Sequence, residues 1–364
     1  MKIISVVATR PNFMKIASIF RASESLKFNT QHMLVHTGQH YDYEMSQIFF
    51  DELGLPKPDI YLGVGSGTHA EQTGKVMIEF EKVLYQEKPD LVIVVGDVNS
   101  TLAASLAAAK LHIELAHIEA GIRTNDRSMP EEINRVLTDH LSDYLFTTSK
   151  YDDEYLLKEG IEQSKIFRVG NVMVDSLLHY KDKADKSDIL SRLGLSQQKF
   201  ALLTLHRPGN VDDKNSLMQI MTSLTQLSKS IPIVFPAHPR TQKNLQDFEL
   251  LNKLSIPNKR FMIIKPLGYL DFLKLEMESK FIMTDSGGIE PESTALGIPC
   301  LTLLDHSGWI ETVEVGTNTL VGNDPERIAQ EAGKIIDGNI GKSKIPALWD
   351  GKAAHRIVDV LIRK

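Results

Sequence analysis

Cysteine and long apolar runs are what this sequence has least of. Its 364 residues include one cysteine, Cys300, which excludes a disulfide framework and any metal site built from several cysteines. The longest purely aliphatic run, residues 91–95, is far shorter than the ~20 residues that a membrane-spanning helix needs. The apolar start of the chain is interrupted by Arg10 and Pro11, too early for a signal peptide. We therefore expect a cytoplasmic protein that does not cross a membrane.

Excess positive charge is also absent. Lys and Arg number 41 against 47 Asp and Glu, so the formal net charge is −6 at pH 7. Nucleic-acid binding without sequence preference needs a basic surface, so this balance argues against a nucleic-acid partner. It leaves room for a small anionic ligand held in a locally basic pocket.

What the sequence does contain is a regular alternation of strand-like and helix-like segments. Strands are predicted at 2–7, 33–35, 91–95, 115–118, 144–147, 166–169, 200–205, 231–236, 261–264, 281–284 and 300–303. This alternation predicts an α/β protein with parallel sheets covered by helices. The strands are too many for one open sheet, and a polar stretch, 181–187, lies near the middle. We predict two domains, 1–172 and 173–350, and a C-terminal helix at 351–364 that is able to pack back on the first domain.

Ionisable side chains follow six of the predicted strands. Ligands of open parallel sheets bind beyond the carboxyl ends of the strands, so these residues mark candidate sites. They are Arg10, Asp97, Glu119 with Arg123, His206 with Arg207, His238 with Arg240, and Asp285. The arginines are expected to make one positive site inside a net acidic protein.

An Asp-Ser-Gly-Gly loop, residues 285–288, joins a predicted strand to a helix that starts near Ile289. Two glycines allow a close backbone approach to a ligand, and a helix start offers N–H groups and a positive dipole end. The loop therefore suits a phosphate or diphosphate, with Glu292 able to bind a ribose hydroxyl. A plain turn capped by Asp285 or Ser286 fits the same residues. The sequence has no Walker A loop and no G-x-G-x-x-G fingerprint, so no dinucleotide cofactor is expected.

The acidic and histidine residues at the other strand ends also allow two interpretations. Asp97 is either a catalytic carboxylate or the cap of the following helix. Glu131 lies in a predicted first helical turn, where the helix dipole alone explains a glutamate. With Glu119, these residues supply several carboxylates for acid–base chemistry. His206 and His238 each end a strand close to an arginine, which favours anion binding or proton transfer.

Several short motifs occur in a fixed order along almost the whole chain. They are Ala-Thr-Arg-Pro at 8–11, His-Thr-Gly-Gln-His at 36–40, Gly-Asp-Val-Asn-Ser-Thr at 96–101, His-Ile-Glu-Ala-Gly-Ile-Arg at 117–123, Pro-Glu-Glu-Ile-Asn-Arg at 130–135, His-Arg at 206–207 and Asp-Ser-Gly-Gly-Ile at 285–289. Each motif alone is weak, but the ordered set is specific. The chain resembles the non-hydrolysing UDP-N-acetylglucosamine 2-epimerase family.

The resemblance implies a GT-B-type fold, in which two Rossmann-like, doubly wound domains face each other across a cleft. It implies reversible inversion at C2 of a UDP-sugar, which interconverts UDP-GlcNAc and UDP-ManNAc for surface polysaccharide synthesis. The family's route is elimination of UDP to a bound 2-acetamidoglucal, followed by re-addition. Its members use no cofactor and no catalytic metal, and a homodimer is the family expectation.

Matching the motifs residue by residue also assigns roles within the site. Asp97, Glu119 and Glu131 match the catalytic carboxylates, and His206 matches a catalytic or diphosphate-stabilising residue. Arg10 and Lys15 match contacts with the nucleotide. Further contacts with UDP or the sugar are assigned to Arg135, His238, Ser286, Gly287, Gly288 and Glu292. The glycine loop would hold the diphosphate, and Glu292 the ribose.

Departures from the family pattern concern the substrate and its regulation. Residues 305–311 read Asp-His-Ser-Gly-Trp-Ile-Glu where members usually carry a Thr-Glu-Arg-Pro-Glu pattern. A Trp-containing loop is similar to that of relatives acting on UDP-2,3-diacetamido-glucuronate, so this sugar is an alternative substrate. Residues 39–50 form a longer segment than in members with a second, regulatory UDP-GlcNAc site, so such a site is not expected.

Three further functions are alternatives to epimerisation. A GT-B glycosyltransferase would share the fold and the UDP site but would need an acceptor. A hydrolysing relative would release free ManNAc. A non-catalytic UDP-sugar-binding protein is disfavoured by the three carboxylates.

Overall fold

The computed structural model describes residues 1–26, 30–38, 54, 57–253 and 260–363, without the side chains of Arg10, Asn252 and Lys253. Residues 39–50, on which the expectation about a regulatory site rests, lie outside this description. The chain forms two compact units, Met1–His179 with Ala347–Lys364, and Tyr180–Pro346.

The first unit is built on a parallel sheet with the strand order β3-β2-β1-β4-β5-β6-β7. Its described strands are β1 (Lys2–Val7), β2 (Gln31–His36), β3 (Ile60–Tyr61), β4 (Leu91–Val95), β5 (Glu114–Ala120), β6 (Tyr144–Thr147) and β7 (Ile166–Arg168). The helices that follow them are α1 (Arg10–Ser25), α2 (His69–Glu87), α3 (Asn99–Lys110), α4 (Pro130–Leu141), α5 (Lys150–Lys158) and α6 (Val172–Asp185).

The β4 strand shows why this sheet lies inside the first unit. Its sequence, Leu-Val-Ile-Val-Val, is buried at every position, as expected for a strand covered on both faces. On one face, Val92 and Val94 pack with Phe80 of α2 and Ala104 of α3. The carboxyl ends of the strands are thereby held in fixed register at one edge of the sheet.

The second unit is built on a parallel sheet with the order β10-β9-β8-β11-β12-β13. Its strands are β8 (Ala201–Thr204), β9 (Ile233–Pro236), β10 (Phe261–Ile264), β11 (Phe281–Thr284), β12 (Cys300–Thr302) and β13 (Asn318–Leu320). Its described helices are α7 (Ile189–Leu193), α8 (Pro208–Val211), α9 (Lys214–Leu227), α10 (Pro239–Asp247), α11 (Leu250–Lys253), α12 (Tyr269–Glu278), α13 (Ile289–Leu296), α14 (Ile310–Glu314) and α15 (Pro325–Ile336). This strand order is that of a Rossmann-type sheet.

Alternate residues of β8 lie on opposite faces of the second sheet. Leu203 joins a core that includes Ile220 of α9 and Ile328 of α15. Leu202 belongs to a separate core with Leu275 of α12. The period of two along the strand therefore accounts for helices on both faces.

The last helix, α16 (Ala353–Ile362), belongs to the first unit and packs against α1. The backbone amides of Ala353 and Ala354 donate to the carboxylate of Asp175 at 3.1 and 2.7 Å. The buried indole of Trp349 donates to the carbonyl of Thr148 at 3.1 Å. Hydrogen bonds as well as apolar packing therefore hold this C-terminal segment.

The unit boundaries differ from the predicted domain limits. Helix α6 begins at Val172, so a division at 172–173 would detach a helix that still packs in the first unit, which extends to His179. The chain returns to the first unit at Ala347 rather than at 351, because Trp349 is already anchored there.

Every strand predicted from the sequence is present, with ends that differ by at most two residues. Two strands, β3 and β13, were missed because two or three residues are too few to show a period of two.

In the described part of the chain, no helix is both long and apolar enough to span a membrane.

Candidate active site

The carboxyl ends of β1, β4 and β5 lie side by side in the first sheet. Arg10 begins α1 just after β1, although its side chain lies outside the described residues. Asp97 follows β4, and Glu119 is the penultimate residue of β5. The topology therefore brings residues from three separate motifs to one edge of the sheet.

Lys15, on α1, contacts the carboxylate of Glu119 directly. Its Nζ lies 2.5 Å from Glu119 Oε2, and the two side chains are 12% and 4% exposed. A Cβ built on Gly96 would lie 3.7 Å from the same Nζ, so the ammonium also lies beside the loop after β4. Lys15 is thus placed to compensate the charge of a buried carboxylate.

Glu119 has an unusual backbone conformation. Its φ of +68° lies in the left-handed region, which a glutamate seldom adopts. The pairing of β5 with β6 shifts register between Ile118 and Ala120, so Glu119 is the extra residue of a bulge. Its Oε1 is buried and has no hydrogen-bond partner among the described residues. Backbone strain together with an unpaired buried oxygen is typical of a functional residue.

Asp97 presents a partly exposed carboxylate rather than a helix cap. Helix α3 has Val98 as its N-cap, with no side-chain cap bond, so the cap interpretation of Asp97 is wrong. Its Oδ2 accepts a hydrogen bond from Arg135 Nη1 at 3.0 Å, and the side chain is 33% exposed. Asn134 Nδ2 donates to the Asp97 carbonyl at 2.9 Å. Two neighbouring residues of α4 therefore hold Asp97 in place.

The first turn of α4 carries two glutamates in different environments. Glu132 is buried and accepts hydrogen bonds from the amides of Thr124 and Asn125 at 3.0 Å each, and from Arg135. Burial raises the pKa of Glu132, but these amides and Arg135 outweigh it and lower the pKa overall. Glu131 is half-buried and takes part in none of these bonds. Glu132 is thus structural, whereas Glu131 is available to a ligand.

A buried network that the sequence did not predict lies behind the loop after β4. His117 bonds Asp139 through Nδ1 at 2.6 Å and the Gly96 carbonyl through Nε2 at 2.9 Å. Arg123 bonds the other Asp139 oxygen and Glu159, at 2.7 Å each. Burial raises the pKa of Asp139, but His117 and Arg123 outweigh it and lower the pKa. The expectation that Arg123 adds positive charge to the site is wrong, because Arg123 is buried between two carboxylates.

A cavity of about 430 Å³ is lined by residues of α2, α3 and α4. Asn134, which bonds the Asp97 carbonyl, also donates to Asn99 Oδ1 at 3.2 Å. The cavity is lined by His69, Ala70, Thr73, Asn99, Ser128, Pro130, Ile133 and Asn134.

In the second unit, buried Asp285 organises the residues that follow β8. Its carboxylate accepts hydrogen bonds from the amides of His206 and Arg207 at 3.0 and 2.9 Å, and His206 Nδ1 lies 3.1 Å from Oδ1. Asn210 Nδ2 also donates to it, at 3.2 Å. Burial raises the pKa of Asp285, but His206 and the amide of Arg207 outweigh it and lower the pKa. Asp285 is therefore the fixed anion that positions the His206–Arg207 pair.

His238 lies beside His206, with ring centroids 5.9 Å apart. It is the N-cap of α10, and its Nδ1 accepts the amide of Arg240 at 3.2 Å. Burial, followed by the charges of His206 and Arg240, lowers the pKa of His238. Because Nδ1 is an acceptor, the neutral ring carries its proton on Nε2. Arg240 is ion-paired with Asp212, so its expected contribution to a positive site is offset.

The glycine loop, residues 285–288, leads into α13 without a side-chain cap. Gly288 occupies the N-cap position, so the interpretation of Asp285 or Ser286 as the cap is wrong. The amide of Ser286 donates instead to Thr284 Oγ1 at 2.9 Å. A Cβ built on Gly287 would lie 3.6 Å from Trp309 Nε1 and 4.0 Å from Arg207 Nη2. An uncapped helix start beside these two N–H groups suits an anion.

Glu292, on α13, belongs to a buried acidic pair. Its Oε1 accepts a hydrogen bond from Tyr269 Oη at 3.3 Å. Glu276, on α12, is fully buried, and neither of its carboxylate oxygens has a hydrogen-bond partner in the described part of the chain. Burial and then the charge of Glu292 raise the pKa of Glu276 well above its usual value. Burial and the neighbouring carboxylate therefore both favour the neutral form of Glu276.

A cavity of about 210 Å³ brings several of the predicted residues of the second unit together. It is lined by Thr204, Leu205, His206, Pro236, His238, Pro266, Leu267, Phe272, Ser286 and Ile289. Phe272 was not predicted as a site residue, because its position in the sequence does not distinguish it from other apolar residues of an amphipathic helix. Across the described residues, no group of three or more His, Cys, Asp and Glu side chains has the geometry of a metal site.

Comparison with known proteins decides the family. A sequence model of UDP-N-acetylglucosamine 2-epimerases matches residues 24–362. The chain belongs to this family. It is 47% identical to the UDP-N-acetylglucosamine 2-epimerase of Methanocaldococcus jannaschii over 99% of both chains. It is 41% identical to the UDP-2,3-diacetamido-2,3-dideoxy-D-glucuronate 2-epimerase of Pseudomonas aeruginosa over 100% of both. The crystal structure of the M. jannaschii UDP-GlcNAc 2-epimerase in complex with UDP-GlcNAc and UDP has a TM-score of 0.91 at 46% identity, with 100% of both chains covered.

Membership of the epimerase family confirms the resemblance drawn from the ordered motifs. The two parallel-sheet α/β units confirm the predicted fold class, and the family places the protein among the isomerases. The roles of individual residues stay predictions, and the positions of Asp97, Glu119 and His206 at or just after strand ends agree with them.

Proposed function

We propose that the protein interconverts UDP-GlcNAc and UDP-ManNAc by inverting C2 of the sugar. The observation that carries this proposal is the placement of two carboxylates at adjacent strand ends: Asp97 follows β4, and Glu119, bonded to Lys15, lies near the end of the neighbouring β5. The M. jannaschii relative, which crystallised with UDP-GlcNAc and UDP, supports the choice of substrate.

The chemistry explains why several carboxylates are needed. The proton on C2 is not next to a carbonyl, so simple enolisation cannot remove it. We propose that UDP is eliminated across C1–C2 to give a bound 2-acetamidoglucal, and that UDP then adds back as a proton reaches C2 from the opposite face. This route needs acid–base groups on both faces of the ring, which Asp97, Glu119 and Glu131 would supply. Lys15, for which the family resemblance implies a contact with the nucleotide, would also orient Glu119 and compensate its charge.

The departing UDP must be retained for the return step. In the second unit, the glycine loop and the start of α13 would hold the diphosphate, and Glu292 would bind the ribose. Phe272 offers a flat apolar wall for the uracil ring. The further proposed contacts with UDP or the sugar are Arg10, Arg135, His206, His238, Ser286, Gly287 and Gly288, with His206 at the diphosphate or in proton transfer.

Inversion of UDP-2,3-diacetamido-glucuronate is the second candidate function. The loop with Trp309 and the 41% identity to the P. aeruginosa enzyme favour it. The cavity of about 430 Å³ is lined by Asn134, which bonds the Asp97 carbonyl, and by Asn99, and it would offer room for an acetamido group. Comparing kcat/KM for UDP-GlcNAc, its 3-acetamido analogue and the uronate distinguishes the two substrates.

Turnover of UDP-GlcNAc in D2O, followed by NMR, tests the proposed reaction. Both epimers should carry deuterium at C2, because the proton that returns comes from solvent. Epimerisation that retains the original proton would overturn the elimination–addition route. Sugar transfer to an added acceptor would indicate a glycosyltransferase, and free ManNAc from the earliest time points would indicate hydrolysis.

We further propose that the protein acts in the cytoplasm as a homodimer and supplies ManNAc-type sugars for surface polysaccharide. The absence of an apolar spanning helix from the described residues agrees with this compartment. Sedimentation velocity over a range of concentrations tests the dimer.

A further inference from the structure

The loop after β12, residues 305–311, is tied to α13 by a chain of hydrogen bonds. Ser307 Oγ donates to Glu290 Oε2 and accepts the backbone amide of Trp309 at 2.9 Å. Asn318 Nδ2, from β13, donates to the same Glu290 oxygen at 2.7 Å. Because Glu290 is buried on α13, this chain fixes the backbone of Trp309 relative to the glycine loop.

The Trp309 side chain lies where this loop meets Gly287. Its Nε1 and the Arg207 Nη2 atom lie 3.6 and 4.0 Å from the position that a Cβ on Gly287 would occupy. An indole N–H and a guanidinium both donate hydrogen bonds, and neither accepts them. The space over Gly287 is therefore bordered by donors, which suits phosphate oxygens.

We propose that Glu290 is a positioning residue of the UDP site: through Ser307 it holds the Trp309 indole over Gly287, where the indole binds the diphosphate together with Arg207. This inference rests on the proposed function, which assigns the diphosphate to the glycine loop. The Thr-Glu-Arg-Pro-Glu pattern usual in the family offers an arginine in this loop, whereas this chain has Trp309. Arginine offers five donors in a fork, whereas tryptophan offers one in a single direction, so a tryptophan depends more on being held in the right orientation.

The raised pKa of Glu290 agrees with a role as a positioning residue. Burial raises its pKa to about 7, although the hydrogen bond from Ser307 and the charge of Arg207 act in the opposite direction. A buried carboxyl group whose pKa is raised this far is more often found at functional sites than in ordinary cores.

A double-mutant cycle on UDP binding tests the inference by calorimetry. Ser307→Ala and Trp309→Ala should each raise the Kd for UDP about tenfold, the loss expected for one hydrogen bond to a charged group. Ser307 acts only through Trp309, so the double variant should bind no more weakly than Trp309→Ala alone. A roughly hundredfold loss in the double variant would overturn the inference. Ser230→Ala, at an exposed serine of the same unit, is the control.

Tryptophan fluorescence supplies a readout that general destabilisation would not imitate. Only Trp309 and Trp349 are present, so a Trp349→Phe background isolates Trp309. UDP should shift its emission, and Ser307→Ala should shift the emission of the free protein. Glu290→Gln keeps an amide oxygen as acceptor for Ser307, so it should weaken UDP binding less than Glu290→Ala does.

The two proposals can fail separately. If the wild-type protein epimerises and binds UDP while Ser307→Ala and Trp309→Ala keep the wild-type Kd, the inference is wrong and the proposed function stands. A wild-type protein that does not bind UDP would overturn both.

Discussion

Lys15 and Glu119 form a buried ion pair in which the loss of one charge leaves the other uncompensated. Removing one partner of such a pair is much more destabilising than removing both. Glu119 also has a strained backbone, and its buried Oε1 has no hydrogen-bond partner in the described part of the chain, so the contact with Lys15 contributes to holding its carboxylate. Both the stability of the first unit and the proposed acid–base chemistry of Glu119 therefore depend on this ion pair.

Lys15→Met should lower the free energy of unfolding by ~3 kcal/mol and abolish epimerisation. Adding Glu119→Gln should restore most of the stability but none of the activity, because the isolated charge is removed together with the proposed acid–base group. Urea unfolding and NMR turnover assays measure the two effects. Lys82→Met, which breaks the exposed pair with Glu79, should change stability by less than ~1 kcal/mol. A single variant as stable as the double one would contradict the argument.

Glu290 should make the stability of the second unit depend on pH. Its pKa is about 7 in the folded protein, against an ordinary value of 4.5 in the unfolded chain. Between these values only the folded state holds the proton, so the free energy of unfolding falls as pH rises from 4.5 to 7. Glu290→Gln should remove this fall. Its free energy of unfolding relative to wild type should therefore increase by roughly 2–3 kcal/mol from pH 5 to pH 8.

Urea unfolding monitored by Trp309 fluorescence in the Trp349→Phe background measures this difference at both pH values. Glu326→Gln, at an exposed glutamate of α15, is the matched control and should show no such change. An equal effect of Glu290→Gln at pH 5 and pH 8 would contradict the raised pKa.

At the scale of elements, α16 is held by a cap that comes from a distant part of the chain. The carboxylate of Asp175, on α6, accepts the first two amides of α16, which lies almost 180 residues later in the sequence. Burial raises the pKa of Asp175, while the amides of Ala354 and Ala353 lower it. The helix therefore depends on a tertiary contact for an interaction that most helices take from a neighbouring residue.

Asp175→Ala should loosen the start of α16 without unfolding the first sheet. Loss of an N-cap costs about 1 kcal/mol, so amide exchange in Ala353–Ile362 should accelerate about fivefold while β4 stays protected. Hydrogen exchange with mass spectrometry resolves the two segments. Asp213→Ala removes the cap of α9 in the second unit and should leave α16 exchange unchanged. Uniform acceleration across the first unit would show that Asp175 has a broader role.

The sequence predicted the elements better than it predicted the contacts between them. Buried parallel strands are continuous apolar runs, so β4 and β11 are found to the residue. Capping depends on loop dihedral angles, and for that reason the cap interpretations of Asp97, Asp285 and Ser286 were wrong. The His117–Asp139 bond and the Glu276–Glu292 pair join distant segments, and a single sequence shows no such contacts.

At the scale of the whole molecule, the proposed catalytic carboxylates and most of the proposed UDP contacts belong to different units. The three carboxylates belong to the first unit, and the glycine loop, His206 and Glu292 belong to the second. Each unit has its own Rossmann-type sheet and its own core, so a substitution in one unit need not disturb the other. Variants in the two units should therefore change different kinetic constants.

Asp97→Asn and Gly287→Ala should separate turnover from UDP binding. Asparagine still accepts the hydrogen bond from Arg135, so Asp97→Asn should fold and keep its Kd for UDP, while kcat falls by about 10²–10⁴. An alanine methyl at 287 makes only ordinary contacts with Trp309 and Arg207, so this variant should fold too. That methyl fills the space proposed for phosphate, so the Kd for UDP and KM should rise about tenfold or more. Calorimetry and NMR turnover measure both constants, and loss of UDP binding in Asp97→Asn would contradict this division.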